Sequence, residues 1–590
     1  MANLRDLLDM LPIDDALLRK IPIPGVQGRC LLEIDLARGL AEGAPSSPLE
    51  VFRARNTPVL AGVVEALRRA ADDSRVAGLI VHCAGGAPVA RVAELRRAIT
   101  RFAESSKPTV AWAESYGELA GGSAGYYLAT SCGEIWLQPS GELVLRGAVA
   151  QGVYARGALD KLGVLPQSAQ RKEYKTALDM LTRDVMSDPE REMLARIVAS
   201  LNETAVAEIA SARSLAADAV RASFDEGMLR AHDAQQVGLV DRLGYRDEAL
   251  AALRQRMGDA NASAELRYVD RYRSFMHGVD AVTKRGKPVV TVVQALGPIH
   301  LGRNGPRPFG GRSAGADTIG AALRQAGRDK HVKAVVLRVD SPGGSYVASD
   351  AIRREVLALR EAGTPVVASM GAVAASGGYF IAMPCAAIVA NAQTLTGSIG
   401  VIAGKQVLAE GLGRIGVRTQ SVSEGTYDEM FSSQRPFTDA EWERLNAWLD
   451  AIYDDFTGKA AQDRQMSREA LEPLARGRVW TGADAAQRGL VDEIGGLEVA
   501  VARACAAAEL DRDDIEVRLV PKVGPLDMLM PADSSEAASS AVGLIGGRSL
   551  LTEVGALLGW SVEASPLLAA VQAAAEEGRG VLTMPGIRLS

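Results

Sequence analysis

Ser376 is followed by two glycines and preceded by an apolar run, Val366-Val367-Ala368-Ser369-Met370-Gly371-Ala372-Val373-Ala374-Ala375. The pattern predicts a buried strand, a small-residue turn and a helix that starts at Ser376. That places a hydroxyl at a helix N-terminus, with the N–H groups of Gly377 and Gly378 beside it. A helix N-terminus carries partial positive charge and spare donors, which suits an oxyanion forming next to a nucleophilic serine. The same residues also fit a plain helix cap, for which serine is favoured.

A second glycine turn lies upstream, in Asp340-Ser341-Pro342-Gly343-Gly344-Ser345, at the end of the apolar strand Leu337-Arg338-Val339. Glycines let a backbone approach a substrate closely and turn N–H groups toward it. Alone, Pro-Gly-Gly is a turn signal. Followed by a strand and Ser376-Gly377-Gly378, it points to an oxyanion hole beside a nucleophile. A serine also needs a base. None of the histidines (His82, His232, His277, His300, His331) is close in sequence to Ser376. A lysine serves when burial lowers its pKa toward neutrality. The candidate is Lys175, in Arg171-Lys172-Glu173-Tyr174-Lys175-Thr176-Ala177, with a solvated surface lysine as the other reading.

The elements that must position these groups are written twice. Ser123, Cys132 and Tyr174 each stand 253 residues before Ser376, Cys385 and Tyr427. Leu67 to Val76 matches Leu323 to Val332 at an offset of 256, and Gly238-Leu239-Val240-Asp241 matches Gly489-Leu490-Val491-Asp492 at 251. So small a drift means two copies of one unit. Each copy alternates helices with short apolar strands, which predicts parallel βαβ units and an α/β fold. The copies are not equivalent in chemistry. The first holds Lys175, where the second has Glu424-Gly425-Thr426-Tyr427-Asp428. The second holds the complete serine loop, where the first has Ser123-Ala124-Gly125.

The combination of Ser341-Pro342-Gly343-Gly344-Ser345, Met370-Gly371 with Ala374-Ala375-Ser376-Gly377-Gly378-Tyr379, Leu395-Thr396-Gly397-Ser398-Ile399-Gly400 and Tyr174-Lys175-Thr176-Ala177 resembles the signal peptide peptidase A (protease IV) family in its long, two-domain form. The resemblance covers roughly residues 30–510. It implies tandem duplicated crotonase/Clp-protease-like domains and a serine endopeptidase with a Ser/Lys dyad that degrades cleaved signal peptides and other apolar peptides. By this resemblance Ser376 is the nucleophile, Lys175 the general base, and Ser398 orients the lysine amine. Gly343, Gly344 and Gly377 supply the oxyanion hole. It further implies a homo-oligomer, a tetramer. Three features depart from the family: no N-terminal membrane anchor is evident, Asp340 stands where Asn is also common, and Ser123 is followed by Ala124 rather than glycine. The Asp340 difference is expected to have little effect.

The reading divides the chain into a lead-in at 1–48, a first repeat at 49–255, a connection at 256–287, a second repeat at 288–510 and an extension at 511–590. The extension has a Ser/Ala/Gly-rich linker at 533–547 and helical patterns at 549–558 and 565–577. A net charge of −6 with no basic block gives a nucleic-acid partner no electrostatic support. Cys30, Cys83, Cys132, Cys385 and Cys505 show no paired spacing, so neither a disulfide framework nor a zinc site is expected. No metal and no cofactor are expected. No apolar run reaches the roughly 20 residues that span a bilayer, which leaves membrane-associated or cytoplasmic placement. Leu4, Leu7, Leu8 and Leu11 fall on one helical face, either packed on the protein or making a peripheral membrane contact. Two rivals stay open at this point: a crotonase-like acyl-CoA hydratase or isomerase, and a non-catalytic duplicated scaffold.

Overall fold

The computed structural model describes residues 29–43, 56–118, 121–258, 264–273, 286–304 and 312–520, with two short strands at Leu582–Thr583 and Arg588–Leu589. The expected N-terminal helical face, the linker at 533–547 and the two C-terminal helical patterns lie outside the described residues.

The apolar runs form two parallel sheets of the same order. The first runs Glu265–Tyr268, Cys30–Asp35, Val76–His82, Thr109–Ala113, Glu134–Leu137, Arg242–Leu243. The second runs Glu516–Val520, Val289–Leu296, Val332–Ser341, Val366–Ala375, Ala387–Ala390, Glu493–Ile494. Their central strands are buried on both faces, which is why they read as continuous Val/Leu/Ile/Ala runs rather than alternating ones. The duplication reaches the register. Cys30 pairs with Val76 but Leu31 with Gly78, and Val289 pairs with Val332 but Val290 with Ala334. The same one-residue slip is thus kept at the same point of both copies. Helices Leu60–Asp72 and Val89–Ala103 cover the first sheet, and Ala316–Arg328 and Tyr346–Glu361 cover the second.

Two local readings are corrected. Glu265–Tyr268, in the stretch read as an irregular connection, is an edge strand of the first sheet, with Glu265 opposite Cys30. One exposed and three half-buried residues at a sheet edge carry too weak a pattern to read as a strand. The predicted small-residue turn before Ser376 is also absent, because the strand runs unbroken from Val366 to Ala375. It changes partner instead: Val367–Met370 lies beside 387–390, and Val373–Ala375 beside Leu395–Gly397. Small side chains let it bend away from one neighbour toward the other without a turn. Leu395–Gly397 pairs antiparallel with Val479–Thr481, as Glu142–Val144 pairs with Met228–Arg230 in the first copy.

A buried ionic cluster joins the copies. Arg338, on the second sheet, donates to Glu42 Oε1 (2.7 Å) and Glu94 Oε2 (3.0 Å) of the first copy, and to Ser369 Oγ (2.9 Å). Among the described residues no helix is long and apolar enough to cross a membrane. The five cysteines are buried and unpaired.

Candidate active site

Strand Leu165–Arg171 leaves the first copy and pairs antiparallel with Val401–Val407 of the second, Arg171 opposite Val401 and Leu165 opposite Val407. Lys175 lies just past Arg171, and Ser398 just before Val401. The pairing therefore brings both to one point from opposite copies. The approach needs Gly404, because a Cβ there would sit 2.1 Å from Gln167 O.

A loop at 475–478 locks the arrangement. Tyr174 N–H donates to Arg476 O (3.2 Å), Gly477 N–H to Ile399 O (2.7 Å) and Ser398 N–H to Arg478 O (2.7 Å). Gly477, at φ +82°, lies on the Lys175 backbone, where a Cβ would come within 2.6 Å of Lys175 N. A Cβ on Gly400 would stand 2.8 Å from both Arg171 O and Gly477 Cα.

Ser376 sits between the strand and helix Gly377–Ala382, at φ +56° and ψ −115°, with no side-chain cap bond to the helix. Its N–H donates to Gly397 O (2.8 Å) and its carbonyl accepts from Phe380 N–H (2.8 Å). Positive φ in a serine stores about 1–3 kcal/mol, held here by the surrounding bonds. The released hydroxyl faces Lys175. Lys175 Nζ lies within hydrogen-bond distance of Ser376 Oγ (2.7 Å), Ser398 Oγ (2.9 Å) and Ser398 O (3.0 Å). All three residues are fully buried. None of the amine's partners is a carboxylate, so burial acts unopposed and pushes the Lys175 pKa well below the usual lysine range. A neutral amine has a lone pair, and Ser376 Oγ lies within reach of it.

The glycine turn closes the other side. Gly343 and Gly344 adopt φ +106° and +150°, which only glycine takes readily. A Cβ on Gly377 would stand 3.2 Å from Gly343 Cα and Gly344 N, and one on Gly378 would stand 2.6 Å from Ser341 O. The turn and the helix start are therefore in contact through bare backbone. Gly343 N–H donates to Ser341 Oγ (3.1 Å).

Among its described residues the first copy holds nothing comparable at the equivalent place. Ser123 Oγ donates to Arg146 O (2.8 Å) and accepts from Arg146 N–H (2.9 Å). Leu145, 253 residues before Ser398, is a buried apolar side chain. Asp428, 253 residues after Lys175, is exposed and accepts the Gly425 N–H (2.8 Å).

The model of peptidase family S49 matches residues 101–259 and 358–511. The chain is 33% identical over 484 residues to the chloroplastic serine protease SPPA of Arabidopsis thaliana, covering 80% of this chain and 68% of that one. It is 33% identical over 458 residues to protease 4 of Salmonella typhi, covering 76% and 72%. The chain belongs to peptidase family S49. It is a serine peptidase, which sets aside the acyl-CoA and scaffold readings. Among solved structures, a membrane-bound stomatin-specific protease shares 15% identity over 40% of this S49 chain and 99% of its own, at a TM-score of 0.25.

Sequence reasoning named six site residues of this S49 chain and passed over the ones that hold them. Gly477 and Gly404 carried no signal and Gly400 stood only inside a motif, because the backbone each makes room for (Lys175, Gln167 and Arg171) lies more than 200 residues away. Nothing in the sequence marked the contacts of Asp340. Its carboxylate accepts from Val373 N–H (3.0 Å), where the strand bends, and from the Arg91 guanidinium of the first copy (2.9 Å).

Proposed function

We propose that this S49 peptidase cleaves peptide bonds with a Ser/Lys dyad split across its two copies, and that its substrates are cleaved signal peptides and other apolar peptides. The observation that carries the reading is the 2.7 Å contact between Ser376 Oγ and a buried Lys175 amine with no carboxylate partner. Ser376 Oγ attacks the scissile carbonyl carbon and its proton passes to Lys175 Nζ. The carbonyl oxygen, now negative, takes hydrogen bonds from backbone N–H groups of Gly343, Gly344 and Gly377. Gly343 N–H is already shared with Ser341 Oγ, so Gly344 and Gly377 carry the larger part. Lys175 then protonates the departing amine. Water, deprotonated by Lys175, releases the acyl group from Ser376. Ser398 holds the amine toward Ser376 without adding a charge that would raise its pKa. Cleavage of a leucine- and alanine-rich fluorogenic peptide by wild type, Ser376→Ala and Lys175→Ala tests this. Both variants should be folded and inactive; activity that survives Lys175→Ala would remove the lysine from its role.

The reading includes a homo-oligomer. The contact of 165–171 with 401–407 has a counterpart, by the repeat offset, that the described residues of this chain do not pair. Offset by 253, its counterparts are 418–424 in the second copy and 148–154 in the first. Residues 418–424 are exposed, Val422 wholly so, and Val149 and Val153 are exposed as well. Repeating the contact between chains builds a head-to-tail assembly that closes if the rotation allows. Val422→Asp should lower the molecular mass measured by light scattering; an unchanged mass would place the interface elsewhere.

A further inference from the structure

Helix Asp188–Arg213 of the first copy lies against the second. Glu192, Arg196 and Ser200 stand one turn apart on one face of it. They reach Arg478 (2.8 Å), Asp484 (2.8 and 3.0 Å) and Thr481 (2.6 Å). Between them Met193 and Ile197 share an apolar cluster with Leu395 and Val479.

Glu192 does more than join the copies. Its other carboxylate oxygen accepts from the Tyr174 hydroxyl (2.9 Å). The Arg478 guanidinium stands over the Tyr174 ring at 4.7 Å and over the Trp480 ring at 4.6 Å. Tyr174, Glu192 and Arg478 therefore close a triangle, with two corners in the first copy and one in the second. Hydrogen bonds from Tyr174 and Arg478 hold the Glu192 carboxyl below the usual carboxylate range. Tyr174 precedes Lys175, and the Arg478 carbonyl accepts the Ser398 N–H (2.7 Å). The triangle thus ties together the two segments that bring Lys175 and Ser398 to one point. The duplicate place, where the lysine is absent, has no such arginine. Tyr427 and Glu443 stand where Tyr174 and Glu192 do, at offsets of 253 and 251. Strand Val479–Thr481 corresponds to Met228–Arg230, which puts Gly227 in the place of Arg478.

We propose that Tyr174, Glu192 and Arg478 are positioning residues for the peptidase reaction: they hold the Lys175 loop on the 475–478 loop, aim the amine at Ser376 and keep water from it. The proposal rests on the dyad reading for what the amine does. The Glu192 side chain is 57% exposed, and a charge pair so open to solvent is worth about fivefold in the ratio of closed to open loop. Opening admits water, which favours the charged amine and lifts its pKa back toward the ordinary lysine range. The neutral amine then becomes scarcer below that pKa and keeps its amount above it.

Glu192→Gln removes the charge in nearly the same shape, and Arg478→Lys keeps the charge without the planar stack. In both, kcat/KM on the acid limb of its pH profile should fall about fivefold while the alkaline plateau holds. An equal loss at every pH would be a general disturbance and would overturn the proposal. Glu203→Gln, which breaks another pair of the same helix with Arg196 (2.9 Å), is the control. The same acid-limb loss from it would also overturn the proposal. A second readout needs no turnover. In chains carrying Ser376→Ala, reductive methylation by formaldehyde and cyanoborohydride is followed at Lys175 by peptide mass spectrometry. The rate should rise about fivefold in Glu192→Gln and in Arg478→Lys; equal rates overturn the proposal. Faster methylation with no cleavage by any chain would leave the triangle standing and remove the peptidase mechanism. Cleavage lost in Lys175→Ala, with methylation rates and the acid limb unmoved in the triangle variants, would do the reverse.

Discussion

In the proposed mechanism Lys175 is the residue whose state governs the chemistry. Its partners are two serine hydroxyls and a carbonyl, and burial alone lowers its pKa. The proposed base is the neutral amine, so kcat/KM should rise with pH through the lowered pKa and level off above it. A flat profile from about pH 6 to 9, with chemistry rate-limiting, would contradict this. Stability follows the same sign. Between the lowered folded pKa and about 10.4 the unfolded chain holds a proton that the folded chain lacks. Unfolding free energy from this group therefore grows with pH across that window and is lost as pH falls toward the folded pKa. The site is held at the expense of stability. Lys175→Met, which keeps the volume and drops the amine, should be inactive yet about 1 kcal/mol more stable at pH 7 by denaturant unfolding. A less stable Met variant would mean that the amine's three bonds outweigh its burial.

At the scale of elements, the proposed dyad depends on close backbone approaches that side chains would block. Gly477 is the sharpest case. Gly477→Ala adds a methyl where Lys175 N is 2.6 Å away, at a φ of +82° that alanine resists. The loop carrying Lys175 must then shift by a few tenths of an ångström or more. A misplacement of up to about 1 Å lowers kcat by up to about 10²-fold. KM and the far-UV circular dichroism should stay near wild type, because neither the glycine turn nor the sheets are touched. Unchanged kcat would show that the Lys175 loop tolerates the move. The existence of a strand, a helix and a glycine turn around Ser376 was legible in residue types alone. The unbroken strand to Ala375 was not, because its last three residues are set by a change of neighbour that leaves no mark in a run of alanines.

Across the whole molecule, the two copies must hold a fixed relation for a lysine of one to reach a serine of the other. The buried Arg338 cluster and the Arg91–Asp340 pair supply part of that hold. Glu94→Ala would leave Arg338 short of one of its two carboxylates in a dry interior. It should lower unfolding free energy by about 3–5 kcal/mol, read by denaturant midpoint, and reduce kcat in proportion to the misalignment. Asp340→Asn can still accept the Val373 N–H but loses its charge opposite Arg91, so a smaller loss in the same direction is expected. If Glu94→Ala were neutral, the alignment would rest on the Arg91–Asp340 pair and the 165–171 and 401–407 pairing rather than on the Arg338 cluster.

The sequence by itself determined the duplication, the parallel α/β architecture and the candidates Ser376, Lys175, Ser398, Gly343, Gly344 and Gly377. Ser376, Lys175 and the three glycines follow from local pattern and from comparing one half with the other; Ser398 follows from the family resemblance alone. Only the tertiary structure decided that Lys175 and Ser398 meet at Ser376, that Gly477 and Gly400 make room for the meeting, and that Glu192 and Arg478 meet at Tyr174. These are contacts between residues tens to hundreds of positions apart. They are set by sheet register and by the packing of one copy on the other, and no local run of residue types encodes them.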